Sequence, residues 1–186
     1  MVEFQKKRFE VKMYSLNMHS WKQIQEVWMA TNLGVNWSRS VCVNESRHWL
    51  LLESNKYSVI CFNLATENFR YHKTPTQLDT NRYRMCRLEL IKEKVYLTTV
   101  FKNKGKTYNK VWVLNNYEID SSWTRFYKIE QALEPTFFKY LRPVYLYSNG
   151  KEMLLEVQNS PSMLVLRDIE KETEKTVTDI TFPKKL

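Results

Sequence analysis

Apolar and polar residues alternate along most of the chain in short runs, and brief polar stretches separate these runs. Alternation of this kind is typical of half-buried β-strands. The stretch VYLYSNGKEMLLEV at 144–157 places Asn149-Gly150 between two apolar runs, which is a strong signal for a β-hairpin. Helix signals are weak, and only 134–141 could form a turn or two of helix. The pattern therefore predicts an all-β fold of antiparallel strands joined by short turns.

The predicted strands group into sets of four, because the same order of strands and turns recurs along the chain. The clearest repeat is MYSLNMHSWK at 13–22, whose skeleton returns as CFNLATENFR at 61–70. Three sets are complete, and the N-terminal set keeps only its last two strands. Within a single domain over 1–186, the predicted units are roughly 9–27, 38–73, 84–129 and 144–182.

Four short strands in every ~50 residues are typical of a β-propeller blade. One blade cannot bury both of its faces, so neighbouring blades stack and share an apolar layer. We therefore predict a partial, kelch-like β-propeller, an arc of about three and a half four-stranded antiparallel blades. Either a partner or a further segment closes the arc, or it collapses into a sandwich-like fold. The predicted structural anchors are Trp21, Trp49, Phe69, Trp112, Trp123, Asn149 and Gly150.

Composition agrees with a packed domain, since 43% of the residues are hydrophobic and 14% are aromatic. No apolar run reaches the ~20 residues of a membrane-spanning helix. The N-terminal segment lacks the apolar region of a secretory signal. We expect a cytoplasmic or nuclear protein, or one found in both, with no membrane partner. The formal net charge is +9, but the basic residues are scattered, which favours a solvated surface over a nucleic-acid footprint.

The sequence contains no motif that indicates catalysis. Cys42, Cys61 and Cys86 occur without a CxxC pattern, so neither a disulfide framework nor a zinc site is predicted. The three histidines come without a GxSxG or HExxH motif, and three glycines are too few for a phosphate-binding loop. We therefore predict that the protein is not an enzyme and has no catalytic residues, metal or cofactor.

Candidate partner-binding residues come from three stretches that are predicted to be loops, 27–40, 101–110 and 116–122. Loops carry function more often than strands, and exposed aromatic residues anchor interfaces. The lysine-rich second stretch could bind an acidic partner. Two alternatives stay open: the tryptophans fill a groove between blades, and the lysines only solvate a hairpin tip. The candidates are Trp28, Trp37, Lys102, Lys104, Lys106, Tyr108 and Tyr117.

Several stretches carry a family resemblance. They are VKMYSLNMHSWKQI (11–24), SVCVNESRHWLLL (40–52), VICFNLATENFR (59–70), VWVLNNYEIDSSWTRFYKI (111–129), YLYSNGKEMLLEV (145–157) and LVLRDIEKETEK (164–175). In this order they resemble the F-box-associated domain of plant F-box proteins, and the resemblance covers about residues 9–180. One departure is Glu45, where the family usually carries a glycine. A tight turn that needs positive φ would be strained there.

The resemblance implies a non-catalytic protein–protein interaction module, the substrate-recognition part of a Skp-cullin-F-box ubiquitin ligase, with an unknown protein as substrate. No stretch resembles the F-box, the helical segment that docks the adaptor in this family, so direct adaptor binding is not expected. A competitor that binds targets without delivering them is one hypothesis. The alternative function is a basic nucleic-acid-binding β-protein, which a steep salt dependence of binding would indicate.

Overall fold

The computed structural model describes residues 6–30, 34–53, 56–75, 83–104, 106–117, 119, 122–131, 140–158 and 163–177. These residues form β-strands and turns, and none of them forms a helix that could cross a membrane. The strands are β1 (Lys6–Ser15), β2 (Ser20–Ala30), β3 (Gly34–Val43), β4 (Ser46–Glu53), β5 (Lys56–Asn63), β6 (Asn68–Lys73), β7 (Tyr83–Ile91), β8 (Lys94–Asn103), β9 (Lys106–Leu114), β10 (Trp123–Gln131), β11 (Tyr140–Leu146), β12 (Glu152–Gln158), β13 (Met163–Asp168) and β14 (Thr173–Thr176).

The strands pair into four antiparallel sheets. One is the β1–β2 hairpin, and the other three each contain four strands in sequence order, β3 to β6, β7 to β10 and β11 to β14. Strand β3 contacts β7, and β7 contacts β11, so the first strands of successive sheets lie side by side. The predicted all-β fold of four-stranded antiparallel blades is confirmed. Residues 132–139, most of the stretch with a weak helix signal, lie outside the described residues, and Tyr140 and Leu141 begin β11.

The apolar core lies between neighbouring sheets. Leu51 and Ile60 of the β3–β6 sheet contact Val11 of the N-terminal hairpin. Leu97 and Phe101 of β8 meet Leu50 and Tyr57 from the β3–β6 sheet, among other residues. A larger cluster joins the last two sheets through residues such as Val111, Met153 and Leu155. Strand β8 is buried without interruption from Val95 to Phe101, because apolar layers cover both of its faces.

The repeated sequence segment forms a four-residue turn that closes the β1–β2, β5–β6 and β13–β14 hairpins. The residue before each turn accepts a hydrogen bond from a backbone N–H within it, through Ser15 Oγ, Asn63 Oδ1 and Asp168 Oδ1. The last residue of each turn has a positive φ: His19 at 48°, Glu67 at 55° and Glu172 at 55°. Short polar side chains that accept from the backbone are favoured in turns, which explains part of the repeat.

Two stretches that were predicted to be loops are strands instead. Strand β2 continues to Ala30 and β3 starts at Gly34, so 27–40 is not an irregular connection. Strand β8 continues to Asn103 and β9 starts at Lys106, so the expected long loop of 101–110 is a tight hairpin. In 101–110, the alternation of lysine with other residues hid the strand ends, because lysine-rich sequence also occurs in solvated loops.

The tight turn at Glu45 forms despite the missing glycine. Asn44 has φ 48° and Glu45 has φ 55°, the left-handed pair of a two-residue hairpin turn. Lys92 and Glu93 repeat this geometry between β7 and β8, with φ 45° and 58°. The positive φ at Glu45 is the backbone strain that was predicted. The turn between β3 and β4 still forms at the predicted residues.

Candidate functional site

The two candidate tryptophans are in strands. Trp28 belongs to β2 and Trp37 to β3, and the side chains of both lie outside the described residues.

The lysine-rich hairpin presents charge, but its aromatic residue is buried. Lys102, Lys104 and Lys106 are exposed, and Lys106 Nζ lies 2.5 Å from Glu130 Oε1. Tyr108 is 8% exposed, and its ring stacks on Phe101 with 5.1 Å between centroids. The prediction that Tyr108 contacts a partner directly is therefore wrong.

Tyr117 also has a structural environment. Its hydroxyl accepts a hydrogen bond from the backbone N–H of Val95 at 3.2 Å. Its ring packs against the buried ring of His48, with 5.6 Å between centroids. These contacts give the partly buried side chain a structural role, and its contact with a partner stays a prediction.

Most of the predicted anchors are partly buried. Trp49 and Phe69 contact the Leu51–Ile60 cluster, while Trp112 and Trp123 contact the cluster around Leu97. Asn149 shapes the β11–β12 turn, where its Oδ1 accepts from the backbone N–H of Lys151 at 3.0 Å. In the same turn, Gly150 has φ 69°.

Trp21 is different, because its side chain is 70% exposed. The expectation that it packs between sheets is wrong. Its ring meets that of Tyr14, directly opposite in the β1–β2 register, at a centroid distance of 5.3 Å. The pair lies at the end of the hairpin, next to the turn that carries Leu16 and Met18.

These four side chains form an apolar surface, here named the hairpin-tip surface: Tyr14, Leu16, Met18 and Trp21. Their exposed fractions are 41%, 77%, 69% and 70%. Single exposed apolar residues are ordinary, but a contiguous group of them marks an interaction site.

The other two turns of the same design show which apolar residues accompany the turn everywhere and which do not. An apolar residue leads all three turns, Leu16, Leu64 and Ile169, and an aromatic residue follows two of them, Trp21 and Phe69. The third turn position differs, because Met18 stands where the other turns have Thr66 and Lys171. Polar residues close the same hairpin at that position, so Met18 is not needed for the turn itself.

The hairpin-tip surface is held beside the β5–β6 turn. Lys22 Nζ lies 2.7 Å from Glu67 Oε2 and 2.9 Å from Glu67 Oε1, which ties the two turns together. Leu64, on that neighbouring turn, is 46% exposed. A groove of about 530 Å³ runs along the hairpin and is lined by Lys12, Trp21 and Gln23. The hairpin-tip surface is therefore an apolar contact area that is flanked by the amino group of Lys12 and the amide group of Gln23.

Sequence reasoning missed this surface because it treated the repeat as purely structural. The available signal was the difference between repeats, since Met18 stands where the equivalent turns have Thr66 and Lys171. Three potential metal ligands, His48, Cys61 and His72, meet in the protein interior and are not part of this surface.

Antiparallel four-stranded sheets that share apolar layers define a domain of the β-propeller class. The chain belongs to the F-box associated beta propeller domain family, which matches residues 1–182.

Two curated relatives come from Arabidopsis thaliana. The F-box protein CPR1 is 26% identical over 192 residues, which covers 91% of this chain and 43% of the relative. The F-box protein At4g22390 is 25% identical over 178 residues, which covers 86% of this chain and 42% of the relative. The chain therefore spans less than half the length of these relatives.

Proposed function

We propose that the chain recognises a protein substrate for a ubiquitin ligase and that it binds this substrate with the hairpin-tip surface. Membership of the F-box-associated family supports the ligase context. The observation that carries the choice of surface is the exposure of Leu16, Met18 and Trp21 on one hairpin: Met18 stands where both equivalent turns have a polar residue, and Trp21 is exposed where its counterpart Phe69 packs against the core.

The chemistry of the surface indicates the kind of substrate. Tryptophan and tyrosine are the residues that most often supply binding energy at protein interfaces. Lys12 and Lys22 lie along the same hairpin, and the chain carries a formal net charge of +9. A protein that offers an apolar patch with acidic residues around it would match both features, because complementary charge speeds association and fixes orientation.

The chain acts in this proposal as a binding unit rather than as a catalyst. The ubiquitin chemistry belongs to other ligase components, and a segment related to the F-box of the two relatives would connect the domain to them. The proposed compartments are the cytoplasm and the nucleus, where the substrate would be met.

Nucleic-acid binding is the second candidate, because aromatic rings and lysines adjoin on the sheet formed by β7 to β10. Lys110 Nζ lies 4.4 Å from the ring centroid of Phe101, and Lys128 Nζ lies 4.0 Å from that of Tyr108. Base stacking, however, needs exposed ring faces. Both rings are 8% exposed and have lysines over them, which disfavours a stacking platform there.

The test compares two surface variants, Leu16→Ser and Trp21→Ala, with the control Ile119→Ser. Ile119 is 54% exposed in the loop between β9 and β10, so the control removes a comparable apolar side chain elsewhere. Proteins that the wild-type chain captures from plant extract, with and without nuclease, would be identified and purified, and the affinity of each chain for them measured directly.

We expect each surface variant to bind the purified partner at least about tenfold more weakly, because anchor residues dominate interface energies. Ile119→Ser should bind as the wild type does. Stability should change by no more than ~0.5 kcal/mol in all three, because the substituted side chains are exposed. Equal affinities for wild type and surface variants would contradict the proposal, and binding that nuclease abolishes would favour nucleic acid.

A further inference from the structure

Two histidines and a cysteine meet on one face of the β3–β6 sheet. His48 in β4 lies directly opposite Cys61 in β5. His72 in β6 lies opposite Val59, which is two residues from Cys61 and therefore on the same face of β5. One potential ligand atom from each residue lies within 4.8 Å of the other two. Three successive strands thus bring an imidazole–thiol–imidazole set together.

The set is fully enclosed by protein. His48 is 0% exposed, Cys61 is 4% exposed and His72 is 1% exposed. The rings of the two histidines stack with 6.2 Å between their centroids, and the ring of Tyr117 covers His48. The Tyr117 hydroxyl is turned to the backbone of Val95 and Glu93 and does not engage the imidazole.

Neither ring nitrogen of His48 makes a hydrogen bond of good geometry, although the backbone of Ser46 and of Val41 interacts with the imidazole. A buried polar group without a well-formed hydrogen bond destabilises the folded state. A bound cation would give one of these nitrogens a full partner.

We propose that His48, Cys61 and His72 bind a zinc ion, with a water molecule or hydroxide in the fourth position. Zinc accepts both imidazole and thiolate ligands, whereas magnesium and calcium prefer oxygen. Tetrahedral zinc with ordinary bond lengths holds its ligand atoms about 3.3–3.8 Å apart. The ligand atoms of His48, Cys61 and His72 lie within 4.8 Å of one another, so each pair would have to approach by about 1 Å. Small side-chain rotations provide a movement of this size.

Such an ion would link β4, β5 and β6 and so stabilise the sheet beside the N-terminal hairpin. Binding releases the proton of the Cys61 thiol, so the affinity for zinc should fall as the pH is lowered. This inference does not depend on the hairpin-tip surface or on its partner.

The experiment uses the 186-residue chain, stripped of metal with a chelator under reducing conditions. Cobalt(II) is the optical probe, zinc the competitor and magnesium the negative control. We expect one cobalt ion per chain, with a thiolate charge-transfer band and tetrahedral d–d bands that zinc abolishes. At a hundredfold excess over its dissociation constant, zinc should raise the midpoint of thermal unfolding by about 5–10 °C, and magnesium should not.

The variant Cys61→Ser should lose the charge-transfer band, and the matched control Cys86→Ser should keep it. Cys86 is partly buried but belongs to a different cluster. If Cys61→Ser does not fold, alkylation of the wild type under partly denaturing conditions gives the answer, because Cys61 is buried and zinc should slow its alkylation relative to the metal-free chain while leaving the rate at the exposed Cys42 unchanged. A wild type without the cobalt–thiolate band, or with zinc bound to Cys42 instead, would overturn the proposal.

Discussion

Trp21 and Phe69 occupy the same position after the same turn, but their surroundings differ. The ring of Phe69 lies 4.8 Å from that of Phe62 and contacts the Leu51–Ile60 cluster. Trp21 meets only the edge of the hairpin through Tyr14 and is 70% exposed. One of these aromatic residues therefore stabilises the fold, while the other is available to a partner. Sequence position alone could not separate them, since exposure depends on what lies beyond the hairpin.

Glu89 is a second residue whose behaviour depends on its surroundings, because they disfavour ionisation of its carboxyl group. Its carboxylate accepts a hydrogen bond from Tyr140 Oη at 3.1 Å between the β7 and β11 strands. Burial raises the pKa of Glu89, and Glu156 adds to this shift, while the Tyr140 hydrogen bond, Arg142 and Arg87 partly offset it. Ionisation of this carboxyl is therefore harder in the folded than in the unfolded chain.

We predict that Glu89→Gln gains stability relative to the wild type as the pH rises. A raised folded-state pKa means that the stability Glu89 contributes is present below its unfolded pKa and is lost as the pH rises through the folded pKa. Glutamine stays neutral and can still accept from Tyr140. Denaturant unfolding of both chains from acid to neutral pH measures the difference, and a difference that is constant or falls with pH would contradict the argument.

At the scale of the elements, the two-residue turns show how much backbone strain a hairpin tolerates. Asn44 and Glu45 both have positive φ, a conformation that L-residues other than glycine and asparagine rarely adopt. The β3–β4 pairing on one side and the buried His48 layer on the other hold the turn in place.

Glu45→Gly should raise the free energy of unfolding by about 0.5–1 kcal/mol, because glycine adopts the left-handed conformation without the steric penalty. The matched control is Glu53→Gly, at the exposed last residue of β4, where φ is not positive. That variant should lose stability, since glycine loses more backbone entropy on folding and relieves no strain there. Chemical denaturation measures both changes. A loss in Glu45→Gly would mean that the turn gains more from the glutamate side chain than from relaxed backbone geometry.

Most of the element pattern could be predicted from the sequence, and the failures have physical causes. Alternating apolar runs such as those in β4 and β5 gave correct strands because one face of each is buried. The ends of β8 and β9 were missed, because the lysines in paired strands at the hairpin end are as exposed as those in a loop. The His48, Cys61 and His72 set was missed as well, since its members come from three strands and only pairing brings them together.

At the scale of the whole molecule, four sheets in sequence order share apolar layers, and the outer hairpins β1–β2, β5–β6 and β13–β14 end in the same type of turn. This repetition gave the fold class from sequence, whereas the binding surface became visible only when the exposure of equivalent turns was compared. The scaffold and the proposed contact site are therefore separate parts of the domain. The stacked sheets form the scaffold, and the hairpin-tip surface forms the proposed contact site. Substitutions at the tip should therefore change binding without changing the fold.

The most direct test of the proposed role is ubiquitin transfer in a reconstituted ligase, with this chain fused behind an F-box segment and the purified partner as substrate. We expect the wild-type and Ile119→Ser fusions to direct ubiquitin onto the partner, and the Leu16→Ser fusion to fail although it still binds the adaptor. A partner that binds the wild-type fusion but receives no ubiquitin, or receives it equally from the Leu16→Ser fusion, would contradict recognition through the hairpin-tip surface.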